Sequence, residues 1–333
     1  MKITIKGFIT CKKNEKYSDC ADRYAYDIET HRFAISDGVG KSFFPEIWAQ
    51  ILVDNFVALQ EVAELSIEKC QSEWLKQVTE KVTVPDVEWF VYNPFILQEP
   101  AKATFVSLRF SREKWVGQAL GDSFLFFVPK GKECFENWVK LSSKPEPIVF
   151  DNSPDYYSSR GKAHGKIKSC EENLESGTFL LMTDELAKWF LKEKENSLKE
   201  IREKWISQSE FESSVSELRE SQSIEKNDDS SILIIEVETD GKTAFHYESV
   251  NVQDIKFLIE KEQTAQSETK KEVVPIENVV EKQKNTITIS ENVKVLAPTD
   301  TTQAKKEKLS QNTQTIRGKF KNILQNIINI IEK

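Results

Sequence analysis

Seven short apolar segments within residues 1–240 place the strongest constraint on the fold. Each is rich in β-branched or aromatic residues and ends at a turn or charged residue, which is the pattern of a β-strand. The segments are 3–9, 32–36, 103–110, 114–120, 123–128, 178–183 and 231–237. Helical patterns begin at Pro45 and near Asp184, and further helix is predicted over 62–80 and 197–222. Runs of strands separated by runs of helices predict an α+β fold rather than a regular βαβ alternation.

Two connections differ from the rest in length. Only Gly121-Asp122 separates the segments 114–120 and 123–128, which predicts a β-hairpin. By contrast, the stretch 142–177 is interrupted by prolines and glycines and predicts an irregular loop. Loops of this length inside a compact domain are usually functional or disordered.

The C-terminal part of the chain differs in composition from the rest. Residues 255–312 are polar and poor in aromatic residues, which predicts a disordered linker after a domain over 1–254. An amphipathic helix is predicted over 313–333. Its apolar face consists of Ile316, Phe320, Ile323, Leu324, Ile327, Ile330 and Ile331. The sequence leaves open whether this helix docks on its own domain, self-associates or binds a partner.

The composition argues against several classes of protein. The net charge is −8 at pH 7, with no basic face of the kind that binds nucleic acid. Three isolated histidines and five cysteines without a C-x-x-C pair argue against a zinc site and a disulfide framework. The amino terminus lacks a signal-peptide pattern, and no apolar run reaches the roughly 18 residues of a membrane span. The sequence therefore predicts a cytoplasmic protein with no membrane span.

The segment RFAISDGVGKS, residues 32–42, ends like a nucleotide-binding P-loop. That motif needs a glycine where this chain has Ile35, and isoleucine does not readily adopt the positive-φ conformations of such a loop. What remains is an apolar strand that ends in Asp37 and is followed by Gly38. A carboxylate at the end of a strand is well placed to hold a metal ion.

Aspartates stand at the ends of most of these apolar segments. They are Asp22, Asp37, Asp122, Asp184, Asp228 and Asp229. Each one alone has a structural explanation, because aspartate favours turns and helix N-caps. Together they predict a cluster of oxygen donors, which suits magnesium or manganese. Two such ions about 4 Å apart can bind a phosphate and activate water for in-line attack.

In this order the motifs resemble those of the metal-dependent protein phosphatases of the 2C type, the PPM family, and look most like its bacterial members. The matching segments are CAD (20–22), FAISDGVG (33–40), VGQALGDSF (116–124), FLLMTDEL (179–186) and NDDSSILII (227–235). The strand Ala103-Thr104-Phe105-Val106 resembles the family's Ala-Thr strand. The similarity covers the chain up to about residue 240.

The resemblance implies an α-β-β-α sandwich, in which two antiparallel sheets are flanked by helices. It implies a manganese- or magnesium-dependent enzyme that hydrolyses phosphoserine and phosphothreonine in proteins by a hydroxide bridging two metal ions. A phosphoprotein is the implied substrate, and a cognate kinase would be a further partner. The stretch 142–177 corresponds to the flap that shapes substrate access in the family.

The resemblance also assigns the metal ligands. It implies that Asp37 bridges the two metals, that the Gly38 carbonyl binds one of them, and that Asp184 and Asp228 complete the pair. A third, weaker ion would lie between Asp184 and Asp122.

The predicted catalytic residues are Asp22, which would hold metal-bound water, and Asp37. Three positions next to the predicted ligands depart from the family pattern. Ala21 stands where many members have glutamate or glutamine, and Val39 replaces a histidine found in eukaryotic members. Glu185 replaces a glycine, so that its carboxylate lies near the metals or points outward at the start of a helix.

The family's phosphate-binding arginine has no clear match. Lys12, Lys13 or Lys16 could take its place, and the sequence does not distinguish among them. These departures keep open a second function, that of a pseudophosphatase that binds phosphoproteins as a regulatory module without turning them over.

Overall fold

The computed structural model describes residues 1–60, 64–85, 87–150, 153–239 and 244–272. Residues Met1–Val274 form one compact unit. The predicted amphipathic helix over 313–333 and most of the predicted linker over 255–312 lie outside the described residues.

The described residues form thirteen β-strands and seven α-helices. The strands are β1 (Lys2–Thr10), β2 (Arg23–Asp27), β3 (Arg32–Ser36), β4 (Lys102–Ala103), β5 (Phe105–Phe110), β6 (Lys114–Leu120), β7 (Phe124–Pro129), β8 (Val139–Leu141), β9 (Tyr157–Ser158), β10 (Lys168–Asn173), β11 (Gly177–Met182), β12 (Ser230–Glu238) and β13 (His246–Val252). The helices are α1 (Pro45–Val57), α2 (Ile67–Val82), α3 (Trp89–Ile96), α4 (Asp184–Glu193), α5 (Glu195–Lys204), α6 (Gln208–Glu220) and α7 (Ile255–Glu272).

Two main sheets carry the fold, which confirms the predicted α+β class. One has the order β13-β1-β12-β11-β7-β8, the other has the order β10-β6-β5-β3-β2, and β4 pairs with β9 alone. Among these pairs only β1 and β13 run parallel, which departs from the expected antiparallel sheets. β12 already has a neighbour on each side, so β13 adds at the edge beside β1. Because β12 runs antiparallel to β1, a strand that turns back after β12 runs parallel to β1.

The predicted hairpin between segments 114–120 and 123–128 is wrong. β6 pairs with β5 and β10, whereas β7 pairs with β11 and β8 in the other sheet. The turn between them passes the chain from one sheet to the other. It needs glycine because Gly121 has a φ of +109° and a Cβ there would lie 2.6 Å from the Thr104 side chain. Asp122 is thereby placed where the two sheets exchange the chain.

Three apolar layers hold the sandwich together. Phe127 and Phe179 belong to the layer between the sheets, Trp48 and neighbours on α1 and α2 cover the five-stranded sheet, and Trp205 belongs to the layer under α4, α5 and α6 on the six-stranded sheet. β7 and β11 are buried along their whole length because both of their faces are covered. This burial explains why these strands are continuous apolar runs without polar alternation.

Several elements appear where the sequence predicted none. α3 and β13 are examples, and β9 and β10 lie within the stretch predicted to be irregular. α7 begins at Ile255, where the linker was predicted to start, and Ile255 and Leu258 pack against Ile9 and Cys20. Among the described residues, no helix combines the length and the apolar character that crossing a membrane requires.

Phe179 provides a test of the layer between the sheets. Its side chain is fully buried, and its ring centroid lies 4.3 Å from that of Phe127 and 5.3 Å from that of Trp115. We expect Phe179→Ala to lower the free energy of unfolding by about 3–5 kcal/mol, because it leaves a cavity among these rings. Urea unfolding measures the change. The matched control Phe257→Ala removes a ring that is 58% exposed, and should change stability by less than about 0.5 kcal/mol. Similar losses in both variants would contradict the assignment.

Candidate active site

Two of the predicted carboxylates meet at one end of the five-stranded sheet. β2 and β3 are antiparallel, and Arg23 at the start of β2 pairs with Ser36 at the end of β3. Asp22 and Asp37 are the residues just outside this pair, so they lie side by side at the same end of the sheet. The strand register therefore brings together two residues separated by a whole hairpin.

The six-stranded sheet contributes carboxylates at the same end of the sandwich. β11 and β12 are antiparallel, so Asp184 at the end of β11 adjoins Asp228 before the start of β12. The Thr183 hydroxyl donates a hydrogen bond of 2.9 Å to Asp22 Oδ2 and accepts one of 3.1 Å from the Ser231 amide. The bond to Asp22 joins the end of the six-stranded sheet to the end of the five-stranded sheet, whereas the bond from Ser231 lies within the six-stranded sheet.

Electrostatics shows that five of the predicted carboxylates form one cluster. Burial, followed by the charges of Asp22, Asp184, Asp122 and Asp228, raises the pKa of Asp37 well above its ordinary value. Burial and then Asp122, Asp228 and Asp22 also contribute to raising the pKa of Asp184 well above its ordinary value. Like charges at this density oppose ionisation unless cations compensate them.

Asp22 is a buried carboxylate with one oxygen that accepts no hydrogen bond. It is 1% exposed, and its Oδ1 atom is buried without a hydrogen-bond partner. Burial, and then the charge of Asp229, raises its pKa to about 7. The Arg23 guanidinium donates to the carbonyl oxygens of Cys20 at 2.7 Å and of Asp22 at 2.6 Å, which fixes the backbone next to the carboxylate.

Asp37 and Gly38 are held by close backbone contacts. The Asp37 carbonyl accepts a hydrogen bond of 2.9 Å from the Thr104 amide, and the Gly38 amide donates one of 3.3 Å to the Ala21 carbonyl. A Cβ at position 38 would lie 2.9 Å from Pro45 and 3.0 Å from the Ala21 oxygen. Only glycine fits between these two segments without displacing backbone.

Asp229 has a structural role that the sequence interpretation did not assign. It is 3% exposed, and its carboxylate accepts hydrogen bonds from the amides of Lys12 at 3.0 Å and Ala21 at 2.8 Å. The side chain of Asp228, which the resemblance assigns to a metal, is 37% exposed. Adjacent aspartates point in different directions, and nothing in the Asp-Asp pair itself indicates which one anchors the backbone.

The structure brings one of the three candidate lysines to the cluster. Lys12 Nζ lies 3.1 Å from Asp228 Oδ1 and 3.9 Å from Asp229 Oδ2, whereas Lys13 forms its ion pair elsewhere and Lys16 is exposed. Burial lowers the pKa of Lys12, but the charges of Asp229 and Asp228 outweigh this effect and raise it above its ordinary value. A charged ammonium group therefore already stands beside one predicted metal ligand.

Glu185 adopts the first of the two orientations left open by the sequence. It is 2% exposed, and its carboxylate accepts a hydrogen bond of 3.3 Å from the Lys226 amide. Lys226 Nζ lies 3.6 Å from Glu185 Oε1. The charge of Glu185 also contributes to the raised pKa of Asp184, so this extra carboxylate belongs to the edge of the cluster.

The carboxylate oxygens of the cluster lie near one another, but no three of them converge on a single point. Among the described residues, the only three histidine, cysteine or acidic side chains whose ligand atoms all lie within 4.8 Å of one another are Cys134, Glu136 and Glu195, which are exposed. No three of the predicted aspartates meet this criterion. Their donors are nevertheless all carboxylate oxygens beside the Gly38 backbone, which is the donor type that magnesium and manganese prefer.

Comparisons with known proteins gave matches among solved structures only. No family model matches the chain, and no curated protein sequence does. The serine/threonine phosphatase Stp1 from Staphylococcus aureus matches with 13% identity, 71% of this chain, 95% of that chain and a TM-score of 0.47. PstP/Ppp from Mycobacterium tuberculosis matches with 11% identity, 71% of this chain, 99% of that chain and a TM-score of 0.46. PppA from Pseudomonas aeruginosa matches with 12% identity, 71% of this chain, 98% of that chain and a TM-score of 0.47. Identities and scores this low do not indicate which activity this chain has.

The raised pKa of Asp22 predicts a dependence of stability on pH. The folded state raises this pKa to about 7, whereas an unfolded chain has about 3.9. Between these values the folded state binds the proton more tightly, so stability falls as the pH rises. In EDTA, we expect the contribution of Asp22 to make the free energy of unfolding lower at pH 8 than at pH 5.5 by about 2 kcal/mol.

Urea unfolding at the two pH values measures this difference. Asp22→Asn removes the ionisable group and keeps the side-chain shape, so its difference between the two pH values should be clearly smaller. Equal differences in the two proteins would contradict the role given to Asp22.

Proposed function

We propose that this chain is a manganese- or magnesium-dependent protein phosphatase that hydrolyses phosphoserine and phosphothreonine in proteins. The main support is the cluster itself. Five carboxylates from five separate segments meet at one end of the sandwich, and their burial and mutual charge raise the pKa values of Asp37 and Asp184 well above the ordinary range. A dense group of like charges that is partly removed from water is stabilised by bound cations.

The residues present fit divalent metal ions. All the side-chain donors in the cluster are carboxylate oxygens, and the buried Oδ1 atom of Asp22 has no partner in the protein. Asp37, the Gly38 carbonyl, Asp184 and Asp228 would hold two ions, and Asp122 would contribute to a third. When bound, these ions would neutralise phosphate oxygens and promote the ionisation of a water molecule for in-line attack.

The protein side chains would then position the reactants. Asp22 would accept a proton at Oδ1, while the Thr183 hydroxyl fixes the carboxylate through Oδ2. Among the three candidate lysines, Lys12 is the one at the cluster, so it would bind the substrate phosphate once released from Asp228. These roles need no covalent intermediate on the protein.

A second candidate is a phosphoprotein-binding module without turnover. Two ion pairs favour this function. Lys12 pairs with Asp228, and Lys226 pairs with Glu185 at the edge of the cluster. Ammonium groups that already neutralise these carboxylates reduce the need for metal ions. Such a site could still bind a phosphorylated residue through lysine while lacking a complete metal set.

Phosphate release from a phosphothreonine peptide tests the proposed activity. We expect turnover with manganese, none with EDTA, and a loss of at least about 100-fold in Asp37→Asn, because the variant removes the carboxylate at the centre of the cluster. The control Asp54→Asn changes an exposed aspartate on α1 and should retain activity.

Manganese binding must be measured in parallel by isothermal titration calorimetry. Absence of turnover on several phosphopeptides, with manganese still bound, would favour the binding module. Absence of both turnover and manganese binding would contradict the proposed metal site.

The ion pair of Lys12 predicts that this lysine competes with metal ions. Lys12→Met keeps the length of the side chain and removes the ammonium group beside Asp228. We expect the affinity for manganese to rise by about tenfold, because an ion no longer has to displace a charge already in place. Titration calorimetry of the metal-free protein measures the affinity. The control Lys13→Met breaks an exposed pair with Glu220 and should leave it unchanged. An unchanged or lower affinity in Lys12→Met would contradict competition.

A further inference from the structure

α3 presents an apolar surface to solvent. Its sequence is WFVYNPFI, yet only Phe95 is buried, and Trp89 and Phe90 are 71% and 58% exposed. The two exposed rings contact each other edge to face, with centroids 6.2 Å apart. A helix that is apolar on most sides is normally buried, and exposed aromatic pairs of this kind mark interaction surfaces.

A cavity connects this surface to the carboxylate cluster. Its volume is about 430 Å³, and it is lined by Phe90 and Val91 of α3 on one side and by Lys12, Ala21 and Gly40 on the other. Lys12 is the lysine that contacts Asp228, and the Ala21 carbonyl accepts a hydrogen bond from the Gly38 amide. A ligand in this cavity would therefore lie beside a phosphate bound at the cluster. The volume falls within the roughly 300–1,000 Å³ of small-molecule sites, enough for side chains and too small for a folded partner.

The remaining charged groups of the cavity wall are acidic. Glu15, Asp19 and Glu46 line it, and within the described part of the chain none of them forms an ion pair with a lysine or arginine. The only basic side chain of the wall is Lys12, which is already paired with Asp228. The wall thus combines an aromatic side with an unneutralised acidic side.

We propose that this cavity is a specificity site for the substrate segment that flanks the phosphorylated residue, and that it selects one basic and one large apolar side chain. The inference rests on the proposed phosphatase function and adds a sequence preference to it. The basic side chain is bound by Glu46 and its acidic neighbours, and the apolar side chain packs on Phe90. A substrate segment fits this combination better than a second copy of the chain, because Lys12 of the cavity wall also contacts Asp228 of the cluster.

Two phosphothreonine peptides of equal length test the preference. One carries arginine and leucine around the phosphorylated residue, and the other carries glutamate and serine. We expect a higher kcat/KM for the first peptide. Phe90→Ser and Glu46→Gln should each reduce this kcat/KM by about tenfold, mainly through KM, and should leave hydrolysis of p-nitrophenyl phosphate unchanged.

Matched controls separate the site from general surface effects. Phe257→Ser changes a ring on α7 that is also 58% exposed, and Glu68→Gln changes an acidic residue that, like Glu46, lies in the first turn of its helix. Both controls should retain the preference for the first peptide. Glu46→Lys should lower kcat/KM for the first peptide and raise it for the second, because it replaces a negative charge of the cavity wall with a positive one.

The outcomes distinguish this inference from the proposed activity. If wild-type protein does not hydrolyse p-nitrophenyl phosphate, the proposed function fails; fluorescence polarisation with the same labelled peptides then still tests the cavity. If the site variants behave like the controls in either assay, the specificity site is overturned. It is also overturned if gel filtration shows a wild-type dimer that Phe90→Ser converts to a monomer, because α3 would then be a self-association surface.

Discussion

Mutual repulsion among clustered, buried and half-buried carboxylates is the constraint on which the rest of this structure depends. Burial and the neighbouring negative charges raise the pKa values of both Asp37 and Asp184. The fold must therefore offset the repulsion among these carboxylates. Uncharged hydrogen-bond donors stabilise two of the carboxylates. The Thr183 hydroxyl donates to Asp22, and the backbone amides of Lys12 and Ala21 donate to Asp229. The remaining compensation comes from Lys12 at the edge of the cluster. A divalent ion would relieve the same repulsion more completely, which connects the strain in the site to its proposed chemistry.

The sheet topology explains why separate segments can meet in this way. Antiparallel pairing places the end of each strand beside the start of its neighbour, so residues before and after the strands gather at one end of the sandwich. The Gly121-Asp122 turn adds a residue from the point where the chain changes sheets. Had this turn closed a hairpin, β6 and β7 would lie in one sheet, and the aspartate would not stand between two sheet ends. The error in predicting the turn therefore concerns the feature that brings Asp122 to the site.

The sequence was sufficient for the fold class and for the order of the aspartates, because short apolar strands and Asp-terminated segments are local patterns. It did not distinguish Lys12 from Lys13 and Lys16, since the choice depends on which side chain faces Asp228 across more than two hundred residues of chain. The resemblance assigned Asp228 to a metal and gave Asp229 no role, because the role of Asp229 depends on its hydrogen bonds to the distant amides of Lys12 and Ala21. α3 was missed for a related reason: a short apolar run with an internal proline has no clear helical period.

The position of Lys12 links the two candidate functions physically. The Lys12 ammonium group beside Asp228 neutralises part of the negative charge of the cluster without a metal ion. Such a positive group is suited to binding a phosphorylated residue. Its displacement by a metal ion would free the same ammonium group for an oxygen of a phosphate bound at the cluster. Because Asp228 is partly exposed and Asp229 is buried and bound to backbone amides, exchange at Asp228 need not disturb the anchor at Asp229. The different environments of these two adjacent aspartates are therefore compatible with both candidate functions, and the relative affinity of lysine and metal for Asp228 would decide between them.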